Sequence, residues 1–193
     1  MFTVVSCFEV ALRNAIDKHY SNLFGMQWLN DFCLIGGRFD THQSRTTKNI
    51  IIPAKNKLNS SYTHPKLVTE LDFGLWRYLF AQPQFRVAGQ SLLQIFPSKP
   101  ASTPTIQYNH TYMFNELAKV NDLRNRIAHH EPICFLSNNP VIDTCIRQDY
   151  NLILQFFRWM KINEAELLYG LDILLMYVMR SIIFNEIMNN RIL

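Results

Sequence analysis

A chain of 193 residues that is 48% apolar and 18% charged has the material for one sizeable hydrophobic core, which excludes wholesale disorder. Six glycines and eight prolines exclude a collagen-like or low-complexity chain, and fourteen Phe, eight Tyr and three Trp are rings that need burial against each other or against a partner. The net charge of +4 is gathered rather than spread, because residues 36–66 hold Arg38, Arg45, Lys48, Lys55, Lys57 and Lys66 against Asp40 alone.

Phe8, Leu12, Ile16, Tyr20 and Leu23 recur at helical spacing and Gly25 is a natural stop, so a helix is predicted over 2–24. A shorter apolar piece from Met26 to Ile35 breaks at Gly36-Gly37. The basic segment follows, with Ile50-Ile51-Ile52 ahead of Pro53, and reads as irregular chain or short helix. Its cations Arg38, Arg45, Lys48, Lys55 and Lys57 are candidate RNA-binding residues, since a local positive stretch attracts phosphate; the same charges also suit a solvated surface loop. His64-Pro65 places a proline where a helix can begin, and Leu67, Val68, Leu71, Leu75, Trp76 and Leu79 form one apolar stripe that ends before Pro83. Trp76 reads as core rather than as a base-stacking platform. Residues 97–104 hold three prolines and read as a loop. A helix then runs from about Thr111 to Glu131, closed by Pro132. Two more are expected near 143–160 and 163–189, the second opened by Asn163 with Glu166 three residues on. No strand-like alternation persists. The expected fold is an all-α helical bundle in a single domain, with the basic segment and the proline-rich loop as insertions between helices.

Cys7, Cys33, Cys134 and Cys145 form no CxxC pair and no zinc-ligand spacing with histidine, and their apolar neighbours suit reduced, buried thiols. The first residues lack the basic region of a signal peptide, and the apolar run from Leu167 to Phe184 is interrupted by Asp172 and Arg180. The expectation is a cytoplasmic protein with no membrane span, no metal and no other cofactor.

The densest polar cluster is Arg124-Asn125-Arg126-Ile127-Ala128-His129-His130-Glu131. On a helix Leu117, Val120, Leu123 and Ile127 share the core side, while Asn125 and His129, four apart, sit together opposite. Arg126 and His130 form a second such pair, and Arg124 lies about 140° around from His129. Arg124 joins His129 through its length, through distortion near Pro132, or from a second copy of the chain. Imidazole gives and takes protons near neutrality, a guanidinium fork suits phosphate oxygens, and an amide orients either. These are the parts of metal-free RNA cleavage by 2′-hydroxyl attack. Basic side chains in a last helical turn also simply suit the negative end of the helix dipole.

Residues 124–133 resemble the "RN…AHHEPI" signature of bacterial Abi-like (abortive infection) proteins, part of the HEPN superfamily of α-helical, often dimeric domains. Two other blocks are similar in the expected order: Phe8-Glu9-Val10-Ala11-Leu12-Arg13-Asn14, and Lys66 to Trp76 with its Glu70-Leu71-Asp72-Phe73-Gly74 centre. Members of the family usually carry a further helical stretch ahead of the first block, and this chain opens almost on it. The resemblance covers residues 8–133 and implies an endoribonuclease used in phage defence or as a toxin, working as a homodimer with a composite site. The Arg-x4–6-His motif of the superfamily maps onto Arg124, Asn125 and His129, with His130 at a permitted spacing and Arg126 in support. It further implies that Glu9, Arg13 and Asn14 line or brace the same cleft, although Glu9 and Arg13 also fit an exposed i,i+4 ion pair. The alternative function is a non-catalytic dimer that holds RNA or a partner protein, such as an antitoxin, in a defence system.

Overall fold

The computed structural model describes residues 1–131 and 144–167, and among them every regular element is helical. The expected all-α fold is therefore the observed one. Pro132, Cys134 and the stretch from 168 to 189 of the expected last helix lie outside the described residues.

Helix α1 spans Phe2–Phe24 and buries Val4, Val5, Phe8, Leu12, Ile16 and Tyr20 along one face. Gly25 ends it at φ 94°, its amide donating to the carbonyl of Ser21. Helix α2 spans Trp28–Cys33. The chain then folds back so closely that a Cβ on Gly37 would stand 2.5 Å from the Asp31 carbonyl oxygen, a site only glycine fills.

The basic segment departs from the expectation of irregular chain or short helix. Residues Arg45–Leu58 form a 14-residue helix, α3, with Pro53 inside it. The helix survives the proline because Asn49, whose carbonyl Pro53 cannot serve, is exposed, whereas Thr47 and Ile51 are buried on the packed side.

The apolar stripe 67–79 is likewise not one helix. It divides into α4 (His64–Glu70) and α5 (Phe73–Tyr78), because Asp72 turns extended and its Oδ1 accepts from the Leu75 amide at 3.1 Å. All six stripe residues remain buried. Pro83 starts a further helix, α6 (Gln82–Val87), instead of only ending one. Residues 97–104 hold no helix, as expected of the proline-rich loop.

Helix α7 spans His110–Ala128, capped by the Asn109 side chain on the Tyr112 amide. Helix α8 spans Thr144–Trp159 and α9 spans Glu164–Leu167. The core is continuous and aromatic. Phe8 stacks on Phe156 at 5.4 Å and meets Phe157 edge-on at 5.5 Å, joining α1 to α8. Tyr20, Trp28, Phe32 and Phe39 form a second ring cluster that seats α2 against α1. Beside it one carboxylate oxygen, Asp17 Oδ1, accepts from Trp28 Nε1 at 2.8 Å and bonds His64 Nε2 at 2.7 Å, tying α1, α2 and α4 together. No helix among the described residues is long and apolar enough to cross a membrane.

Candidate functional site

The end of α7 is built by its C-terminal turn. The amide of His129 donates to the carbonyl of Asn125 at 2.9 Å, which keeps both residues on the last turn, and both are exposed. His130 then takes φ 56°, its amide donating to Ile127 and the Glu131 amide reaching back to the carbonyl of Arg126 at 2.8 Å. That pair of bonds is a Schellman closure, with His130 in the place glycine usually fills. The helix thus stops at Ala128, three residues short of the expected Glu131. His130 is therefore not a helical i+4 partner of Arg126, which lies instead 4.0 Å from the Glu131 carboxylate.

Arg124 points elsewhere. Its Nε lies 3.6 Å from Glu9 Oε2 of α1, with the Glu9 side chain 19% and the Arg124 side chain 38% exposed. Within one chain, the guanidinium is turned toward α1 while Asn125 and His129 face solvent, as the rotation of about 140° requires.

The three candidates on α1 part company. Glu9 and Arg13 lie on one flank, about 40° apart, and Asn14 lies about 140° from Glu9 on an ideal helix. Glu9 meets Arg124 of α7. Arg13 is half-buried, and its Nε is sealed from solvent with no hydrogen-bond partner. Asn14 instead opens on a shallow groove of about 500 Å³, lined also by Lys18, His19, Ile95, Pro97 and Met160. There His19 bonds Ser91 Oγ at 2.9 Å, and burial lowers its pKa.

The basic segment does not present a row of free cations. Arg38 donates to the carbonyl of Val87 at 2.8 Å and lies 4.6 Å over the ring of Phe24. Lys48 pairs with Asp40 at 2.6 Å, Lys55 bonds Asn30 Oδ1 at 2.6 Å, and Lys57 pairs with Glu70. The Lys48 hydrogen bond, with one from the Gly36 amide, holds the Asp40 carboxyl below its ordinary range. Arg45 is exposed.

Two features were beyond sequence reasoning. Asp149 of α8 is half-buried, and burial raises its pKa against the pull of Arg126 and Lys119. It lines a polar cleft of about 650 Å³ between α7 and α8 with Glu116, Lys119, Asn151, Gln155 and Arg158. The Asp17 node is the second. Burial works to raise the Asp17 pKa, but hydrogen bonds from His64 and Trp28 outweigh it and the net shift is downward. No spacing signal links residues 17, 28 and 64, so only tertiary packing reveals the cluster. Cys33 is buried and its thiol is pushed up to about 11, a poor nucleophile at neutral pH. Cys7 is half-buried and also a free thiol. Among the described residues no group of three or more His, Cys, Asp or Glu could hold a metal ion.

No family model, curated protein or solved structure matches the chain.

Proposed function

We propose that the protein is a metal-independent endoribonuclease of the HEPN type, acting in phage defence as an Abi-like protein or as a toxin. The observation that carries this reading is the end of α7. An exposed imidazole, His129, and an exposed amide, Asn125, share one turn beside a guanidinium, Arg124, that Glu9 holds without a full hydrogen bond.

In the reaction, a neutral His129 takes the proton from a ribose 2′-hydroxyl, and the oxygen attacks the adjacent phosphorus. The P–O5′ bond breaks, and a protonated imidazole supplies the proton that the 5′-oxygen takes up. Products are a 2′,3′-cyclic phosphate and a 5′-hydroxyl. Arg124 steadies the charge on the phosphorane and Asn125 orients the imidazole or a phosphate oxygen. Since Arg124 is turned from His129 of its own chain, the site is composite: two copies meeting at their α7 ends bring His129 of one to Arg124 of the other. His130 and Arg126 support this end, and the proton carrier is His129. RNA is the partner, and an antitoxin-like protein is a second one compatible with a toxin role. The cytoplasm is the compartment this reading requires.

The same rotation of Arg124 favours the second reading, a non-catalytic HEPN-like dimer that holds RNA or a partner protein. The test is digestion of RNA in EDTA. Cleavage to cyclic-phosphate ends that is lost in His129→Ala supports the nuclease; RNA binding without turnover supports the second reading. Equal cutting by parent and variant refutes the assignment of His129.

A further inference from the structure

Two aliphatic side chains stand outside the core where α2 gives way to the basic segment. Leu34 is 52% exposed and Ile35 is 97% exposed. The corner that carries them is braced. The Gly37 amide donates to the Leu34 carbonyl at 2.9 Å and Gly36 takes φ 76° between them, which makes residues 34–37 a type II turn with Ile35 at its first corner. At its base the Phe39 amide donates to the carbonyl of Phe32 at 2.8 Å, and the Gly36 amide to Asp40 Oδ2 at 2.9 Å. Proline suits that corner position and a polar residue suits its exposure; here the turn instead holds an isoleucine out in water.

Cations flank the corner. Lys48 of α3 donates to Asp40 Oδ1 at 2.6 Å, on the same carboxylate that the Gly36 amide binds. The charges of Lys48 and Lys55 are felt at the Cys33 thiol, next to Leu34, and that of Arg45 at Asp40. Lys55 bonds a neutral amide, Asn30, and Arg38 a backbone carbonyl, so neither charge is neutralised by these bonds. Arg38, Arg45, Lys48 and Lys55 against Asp31 and Asp40 leave a local charge of +2.

We propose that this corner attaches the protein to an anionic phospholipid surface, Ile35 and Leu34 entering the headgroup region and Arg38, Arg45 and Lys55 meeting lipid phosphates. A fluid interface takes in a protruding apolar side chain without a matching pocket, and its headgroups supply the complementary charge. A protein partner would have to bring both a pocket and an acidic rim. The attachment needs no membrane-spanning helix and stands apart from the nuclease reading.

The test is co-sedimentation of the full chain with vesicles of phosphatidylcholine alone or with about a third phosphatidylglycerol. The parent is expected to bind the anionic vesicles, more weakly as salt rises, and not the neutral ones. Ile35→Ser is expected to lower the affinity about tenfold and Arg45→Gln about fivefold. The native Trp28, Trp76 and Trp159 are buried, so a tryptophan placed by Ile35→Trp reports the corner. Its emission is expected to shift to the blue on anionic vesicles and to be quenched by brominated lipid. Position 35 is so exposed that these substitutions leave the core untouched, and circular dichroism checks each variant. No binding by the parent, equal binding to neutral vesicles, unchanged affinity in Ile35→Ser, or no blue shift in Ile35→Trp overturns the attachment. Self-association that depends on Ile35, without vesicle binding, also overturns it and assigns the corner to a second copy of the chain. Failure of RNA cleavage leaves the vesicle result standing, and failure of vesicle binding leaves the nuclease reading standing.

Discussion

His130 holds a left-handed backbone at the close of α7, where a side chain with a Cβ is strained by about 1 kcal/mol and glycine is not. His130→Gly is therefore expected to raise stability by about 0.5–1 kcal/mol, read as an increase in the urea midpoint. The same variant separates the two histidines: RNA cleavage persists in it if His129 carries the proton and vanishes if His130 does. Asp17 makes the opposite case, because its ionised form bonds both Trp28 and His64. Asp17→Asn is expected to cost about 1–3 kcal/mol. The pH dependence has a definite sign. A carboxyl titrating below its ordinary value in the folded state contributes fully above that value, and the contribution drains away as pH falls below it. The parent should lose stability on acidification below about pH 4 more steeply than Asp17→Asn, measured as urea midpoints across that range. Neither residue announces itself in the sequence. A histidine standing in for glycine, and an aspartate whose partners lie 11 and 47 positions away, are both invisible to local pattern.

At the scale of elements, the break between α4 and α5 rests on one side chain. Asp72→Ala removes the cap from the Leu75 amide and is expected to cost about 1 kcal/mol, again by urea unfolding. What was legible here and what was not has a physical logic. The span of α1 and its glycine stop follow from a long, unbroken apolar period, and both are observed. The apolar stripe from Leu67 to Leu79 is buried throughout, Trp76 as expected, yet it gives no sign of the break between α4 and α5, because helical spacing records which residues are buried and not whether the backbone pauses between them. Asp72 carried the missing signal, a capping residue three before Leu75. Helix α3 is expected only as irregular chain or short helix for the converse reason. A proline argues against a helix interior, but the solvent-facing position of Pro53 lowers its cost and the burial of Thr47 and Ile51 supplies the compensation.

Taken as a whole molecule, the candidate site is half legible from one chain. Helical arithmetic places Asn125 beside His129 and Arg124 away from His129, and the structure has the same arrangement. The parting of Asn14 from Glu9 and Arg13 follows from the same arithmetic, whereas the contact between Glu9 and Arg124 depends on how α1 and α7 pack. A composite site has a consequence for mixtures. On the proposed composite site, Arg124→Ala and His129→Ala chains, each expected to be inactive alone, should form mixed dimers in which one of the two sites is whole. Co-refolded equal amounts are expected to regain about a quarter of parental RNA cleavage. No recovery, with mixed dimers shown to form, places the site within a single chain.

The union of Phe8 with Phe156 and Phe157 also sets a timetable. During synthesis the α8 rings that cover Phe8 follow α1 by about 150 residues, while Phe73 and Trp28 meet the same helix sooner. Until α8 follows, the part of the α1 face around Phe8 is only partly covered, a natural stop for chaperones. A core joined this way between α1 and α8 closes only once α8 has been made, so a fragment that stops short of α8 lacks the rings that cover Phe8.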